Sequence, residues 1–178
     1  FVNDGAGVFT DASARLPPSG NNYEFEAIAV TGDGFIDLVT INDGPQVTEH
    51  IFVNDGMGGF IDGTADLWPN ADNVPGDDNM VAFLDFESDG DPDFVIGGLF
   101  GNDDRLILNS GDGHLSLVAD AFAPATSQGT LGMAVADLDG DGKLDVVTAE
   151  GEAPQDAERV FLGVDVPVDT AGPKISLI

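Results

Sequence analysis

Residues 137–147 read DLDGDGKLDVV: aspartates stand at 137, 139, 141 and 145, glycines at 140 and 142, and a β-branched apolar stretch follows at once. Like charges this close repel, so the spacing needs a reason. Alternate side chains in a tight loop converge on one point, and Gly142 permits a sharp turn after the third carboxylate. The residue at 143 can offer its backbone oxygen, which leaves its side chain free to be lysine. Hard carboxylate and carbonyl oxygens in this number suit Ca2+ better than Zn2+ or copper. A solvated acidic turn would account for one aspartate pair, but the full nine-residue pattern favours calcium. The expected ligands are Asp137, Asp139, Asp141, the carbonyl of Lys143, and Asp145. An EF-hand does not fit. Its loop ends on a glutamate at position twelve and lies between helices, whereas position twelve here is Thr148 and the ninth residue runs straight into a strand.

The loop recurs. Residues 85–95 read DFESDGDPDFV and residues 29–39 read AVTGDGFIDLV. In the second copy the expected ligands are Asp85, Glu87, Asp89, the carbonyl of Asp91, and Asp93. The 29–37 copy offers only Thr31, Asp33, Phe35 (by its carbonyl) and Asp37, so weak binding or a metal-free turn is expected there. A second marker repeats independently: FVNDGAGVFTDAS at 1–13, FVNDGMGGFIDGT at 52–64 and, more weakly, LILNSGDGHLSLV at 106–118. The closing aspartates of the acidic loops, Asp37, Asp93 and Asp145, lie 56 and 52 residues apart, and the turn residues Asn3, Asn54 and Asn109 lie 51 and 55 apart. Two markers holding nearly one period define internal repeats of roughly 1–50, 51–104 and 105–158, with another starting at 159.

Within a repeat the reading is all-β. MAVAD, LDVVTA, RVFLG and FVIGG are short and rich in Val, Ile, Leu and Phe, with dense turn residues between them. Asn-Asp-Gly is hairpin-turn chemistry. No segment sustains a helical period with caps. Half of the ten prolines sit in 12–24, 63–79 and 119–130, read as surface connections. A sheet of about four strands per repeat cannot bury both faces alone and must stack on its neighbours.

Composition bounds the partners. Thirty-three Asp and Glu against five Lys and Arg give a net charge of −28, which repels nucleic acid and anionic membrane and attracts divalent cations. With 42% hydrophobic residues and twelve Phe, the chain has the means to form a core. It has no cysteine, which excludes disulfides and thiolate metal sites. No apolar run is long enough to span a bilayer, so membrane insertion is not expected.

The unit VADLDGDGKLDVVTAEG…RVFLG, with FVNDGMGGF elsewhere, resembles the FG-GAP/VCBS repeat found in the propeller of integrin α subunits and in many secreted bacterial proteins. The resemblance covers about 1–163. It implies a β-propeller with calcium in a hairpin loop of each competent blade, held at the residues named above in 85–93 and 137–145. That gives two strong Ca2+ sites and a third weak or absent. About three and a half blades do not close a ring, so a partial or incomplete β-propeller is expected, a piece of a longer protein or one finished by a neighbouring subunit. Residues 164–178 read as a linker or the start of an immunoglobulin-like module.

Catalysis by this chain is not expected. His50 and His114 neighbour no nucleophile, and metalloprotease, nucleophile-elbow, P-loop and dinucleotide patterns are absent. Arg105 and Arg159 share one repeat position, which His50 also occupies, and read as structural ion-pair partners. Trp68 reads as packing between repeats. The function expected is a calcium-binding interaction or adhesion module, extracellular or at the cell surface, with a protein or glycan partner. The alternatives are an accessory region of a secreted polysaccharide-degrading enzyme, or a structural subunit of a surface assembly.

Overall fold

A computed structural model of the chain describes residues 1–44, 46–99, 101–122, 129–151 and 157–165. The expected start of an immunoglobulin-like module falls largely on 166–178, outside the described residues. The described chain is all-β, with antiparallel strands in four sheets. A strand pair comes first, β1 (Val2–Asn3) with β2 (Phe9–Thr10). Two four-stranded sheets follow in chain order. One holds β3 (Asn22–Ile28), β4 (Asp37–Asn42), β5 (Ile51–Asn54) and β6 (Phe60–Asp62). The other holds β7 (Asp78–Leu84), β8 (Asp93–Gly98), β9 (Arg105–Asn109) and β10 (Leu115–Val118). The last sheet holds β11 (Thr130–Ala136), β12 (Asp145–Glu150) and β13 (Arg159–Phe161). Of the stretches read as strands, FVIGG lies wholly in β8, whereas MAVAD, LDVVTA and RVFLG each extend one or two residues beyond β11, β12 and β13.

Register explains the repeat. Ile28 faces Asp37, Leu84 faces Asp93 and Ala136 faces Asp145. Each acidic loop therefore joins the first strand of a sheet to the second, and its closing aspartate opens the second strand. The Asn turns join third strands to fourth, with Asn54 opposite Phe60 and Asn109 opposite Leu115. The pair Asn3 and Phe9 of β1–β2 matches that outer half of a sheet. These turns are longer than the two-residue hairpin that Asn-Asp-Gly suggests. Only the glycines take positive φ there (Gly56 at 72°, Gly58 at 86°). Asn54 and Asp55 instead supply side-chain oxygens that accept from the N–H groups of Gly56, Met57 and Gly59.

The sheets stack as the repeat requires. The first strands lie side by side: Val81 N–H of β7 donates to Glu24 of β3 at 3.0 Å, and Asn79 of β7 donates to the Thr130 carbonyl of β11 at 3.3 Å. Gly97 marks the close approach of β8 to β11, because a Cβ there would lie 2.8 Å from Thr130 Cγ2. One apolar core, with Val39, Ile41, Ile51, Phe94, Ile96 and Ile107, lies between the two four-stranded sheets. A second, with Leu84, Val95, Leu106, Phe122 and Val146, lies between the middle sheet and the last. Alternate residues of β8 thus enter different cores. A strand buried on both faces has no polar face to show, which is why FVI reads as a continuous apolar run. The connection 63–79, expected to be irregular, carries one helical turn, α1 (Thr64–Leu67). It delivers Trp68, 1% exposed, edge-on to Phe94 with ring centroids 5.5 Å apart. The packing role expected of Trp68 holds. Among the described residues no helix is long and apolar enough to cross a membrane.

Candidate metal centre

The three acidic loops share one frame, and it is built on the closing aspartate. Asp93 is fully buried; one carboxylate oxygen accepts from Phe86 N–H at 2.7 Å and the other from Asn109 N–H at 2.9 Å. Asp145 repeats this with Leu138 N–H at 2.7 Å and Gly163 N–H at 2.8 Å. Asp37 does so with Thr31 N–H at 3.0 Å and Asn54 N–H at 2.9 Å. In every copy one carboxylate ties the hairpin loop to the end of the third strand. At Asp93 and Asp145 each of these oxygens keeps a second lone pair, so there the tie leaves room for a metal.

In the loop after β11 the structure brings three expected ligands together. Carboxylate oxygens of Asp137, Asp139 and Asp145 lie within 4.8 Å of one another, and this cluster could hold a metal ion. Asp137 and Asp139 are exposed and Asp145 is buried. Backbone N–H groups of Gly140 and Gly142 donate to the two oxygens of Asp137, which fixes its carboxylate in place. Asp141 stands outside the cluster. Its carboxylate accepts from the backbone and the ammonium group of Lys143, which holds the acid below its ordinary range.

The loop after β7 is more enclosed. Glu87 is 8% exposed. Burial, with Asp93, Asp89 and Asp91 beside it, pushes its carboxyl up to about 8. Glu87 Oε2 and Asp89 Oδ2 are buried and accept no hydrogen bond. Asp85 is held by the N–H groups of Asp89 and Gly90 at 3.0 and 3.1 Å. Buried carboxylate oxygens without donors are costly, and a hard divalent cation is the partner their chemistry fits.

In the loop after β3 a hydroxyl stands where the others have acids. Thr31 Oγ1 donates to Asp37 Oδ2 at 3.0 Å, beside the donation from its own backbone N–H. Asp33 Oδ1 accepts from Phe35 N–H at 2.8 Å. The loop closes around one buried carboxylate, Asp37, whose charge is met by hydrogen bonds from Thr31 and Asn54.

One position separates the loops in backbone terms. Gly32 and Gly140 take positive φ (66° and 82°), and Ser88 is forced to φ 61° at the same place. A left-handed L residue costs about 1–2 kcal/mol, part of which glycine would return as chain entropy. Ser88→Gly is therefore expected to stabilise the exposed turn by about 0.5–1 kcal/mol, read as a small rise in melting temperature.

The ion-pair role expected at the shared cation position is seen for Arg105, whereas Arg159 Nη1 is buried with no hydrogen-bond partner among the described residues. Arg105 donates to the Val74 carbonyl and to buried Asp78, and His50 lies 3.3 Å from Asp62. Two features escape sequence reasoning. Glu49 and Asp104, each just before the shared cation position, are buried between sheets. Asn109 does more than turn the chain: its amide donates to the Val30 carbonyl of the preceding sheet at 2.9 Å and to the Pro92 carbonyl at 3.3 Å. The repeated acid-cation dipeptide was the available signal for the first. The second had none, because nothing in the sequence states which sheet a turn abuts.

Compared with known families, residues 85–148 match the FG-GAP-like repeat. This span runs from the second acidic loop through the third and into β12. A search of curated proteins gave no match.

Proposed function

For a chain whose residues 85–148 form an FG-GAP-like repeat within a propeller-like stack of sheets, we propose a calcium-stabilised interaction module of an extracellular or cell-surface protein. The observation that carries this reading is the convergence of Asp137, Asp139 and Asp145 within 4.8 Å. The buried, donorless oxygens of Glu87 and Asp89 support it at the second loop. Calcium would be held by Asp137, Asp139, Asp145 and the Lys143 carbonyl, with Asp141 joining once it leaves Lys143, and by Asp85, Glu87, Asp89, the Asp91 carbonyl and Asp93. Its chemistry there is charge neutralisation and cross-linking. The chain's own part is to fix the hairpins, so that loops at the sheet ends present a rigid surface to a protein or glycan. Loops of this kind suit the high calcium outside cells. The module binds and does not catalyse; in the enzyme-accessory alternative, catalysis belongs to another domain of the polypeptide.

Calorimetric titration of chelator-stripped protein tests the reading. About two strong calcium sites are expected, at 85–93 and 137–145, with zinc unable to replace the metal. Zero or one site overturns it. One observation favours the surface-assembly reading as a second choice. The β1–β2 pair leaves Phe1 and Phe9 86% and 62% exposed, and Val160 of β13 is exposed as well. A neighbouring subunit, or further sequence of the same protein, would cover these edges. Native mass of the chain separates the readings, because a monomer excludes completion by a second copy.

A further inference from the structure

The junction between the two four-stranded sheets carries a polar cluster that the calcium loops do not use. Glu49, fully buried, precedes β5. Across the junction stands Asp78, also fully buried, the first residue of β7. Arg105, from β9 of the same sheet as Asp78, donates to Asp78 Oδ2. Neither Glu49 oxygen nor Asp78 Oδ1 receives a hydrogen bond from a protein donor. The Glu49 backbone is tied to Asn73, which accepts its N–H at 3.2 Å and donates to its carbonyl at 2.9 Å. Glu49 therefore cannot easily withdraw. Asp78 and Arg105 are the charged groups that bear on it. Two carboxylates and one guanidinium leave one negative charge uncompensated in a buried junction.

The next junction solves the same problem differently. Asp104, equivalent to Glu49, meets Thr130, equivalent to Asp78. The Thr130 hydroxyl donates to Asp104 at 2.9 Å and lies 3.4 Å from Glu150. A hydroxyl carries its proton at every pH. Asp78 has none to give, so the proton must come from solvent.

We propose that one proton shared by Glu49 and Asp78 clamps the first four-stranded sheet to the second, so that this junction loosens as pH rises. The direction follows from linkage. Burial and the Asp78 charge push the Glu49 carboxyl up to about 8 from its ordinary 4.5. Folded protein then holds a proton that unfolded protein has released between those values. Where the native state binds more protons, stability falls with rising pH. The contribution is complete below about 4.5, declines up to about 8, and is flat above it.

Trp68, the single tryptophan, is buried in the core of this junction and reports on it. The test follows melting temperature and tryptophan emission of the full chain from about pH 5 to about pH 9 at fixed calcium. Three proteins are compared: wild type, Glu49→Gln, whose amide keeps a donor toward Asp78 at every pH, and Asp78→Thr, which copies the second junction. Other raised acids, Glu87 among them, are common to all three and cancel in the differences. The melting temperature of wild type relative to each variant should fall across this range and level off near pH 8, with Trp68 emission shifting red in wild type alone. Differences that stay constant with pH, or a Trp68 shift of equal size in all three, overturn the proposal. If Glu49→Gln does not fold, Asp78→Thr decides alone by the same criteria.

Discussion

Chelating calcium from the protein is expected to lower its melting temperature by about 10–20 °C. Metal that binds only the folded chain stabilises it by about 2.7 kcal/mol per site at a hundredfold excess over Kd. Two sites give about 5 kcal/mol, and a chain of this size shifts by about 2–4 °C per kcal/mol. The charges explain why the metal-free state is poor. Three carboxylates whose oxygens lie within 4.8 Å repel at 137–145, by about 1 kcal/mol per pair even in water. At 85–93 burial, then the neighbouring acids, push the Glu87 carboxyl up to about 8. Each loop runs directly into a second strand, β8 or β12, whose side chains enter the cores between sheets. A splayed loop therefore loosens packing as well. Asp139→Ala should reproduce part of the loss in the presence of calcium, since it removes one ligand and leaves the Asp145 tie intact. High NaCl should rescue the metal-free protein only in part, because salt screens repulsion but coordinates nothing. A melting curve that EDTA does not move, or that NaCl restores fully, would mean that these loops are acidic turns.

Much of this molecule can be read from its repeats, and the reason is local. Asn54, Asp55 and the glycines after them fix a turn within a few residues, and the acidic loops fix another, so the markers and the strands between them appear in the sequence as patterns. The stacking of sheets and the burial of Trp68 follow from apolar runs that have no polar face. What the sequence hides is pairing at a distance. With 33 acids in the chain, nothing marks Glu49 and Asp78 as facing one another across a junction. Nothing shows that Asp141 turns to Lys143 while its neighbours converge. The closing aspartate looked like one more ligand because its backbone donors, Asn109 N–H for Asp93 and Gly163 N–H for Asp145, come from the end of another strand.

That tie makes a second large effect, separable from metal because the loop at 29–37 has the tie without the acid cluster. Asp37→Ala is expected to destabilise the protein by about 2–4 kcal/mol, or roughly 5–15 °C, to the same extent with calcium and with EDTA. Asp37 is fully buried and accepts three hydrogen bonds, from Thr31 N–H, Thr31 Oγ1 and Asn54 N–H. The hydroxyl can rotate to another partner. The two backbone N–H groups cannot, and a buried donor left unpaired costs about 1–3 kcal/mol. Both sites are only part-buried, so water relieves some of that and the lower half of the summed range is the expectation. Asp37→Asn should fall between, because its amide keeps one acceptor and turns a donor toward one of the N–H groups. Asp93→Ala makes the contrast: it breaks the same tie and removes a calcium ligand, so its loss should be larger in calcium than in EDTA. Measuring each variant against wild type under both conditions decides the matter. If the Asp37→Ala deficit shrinks when calcium is removed, the first loop binds metal after all. A deficit near zero under both conditions would mean that the buried carboxylate does not hold the hairpin to the third strand.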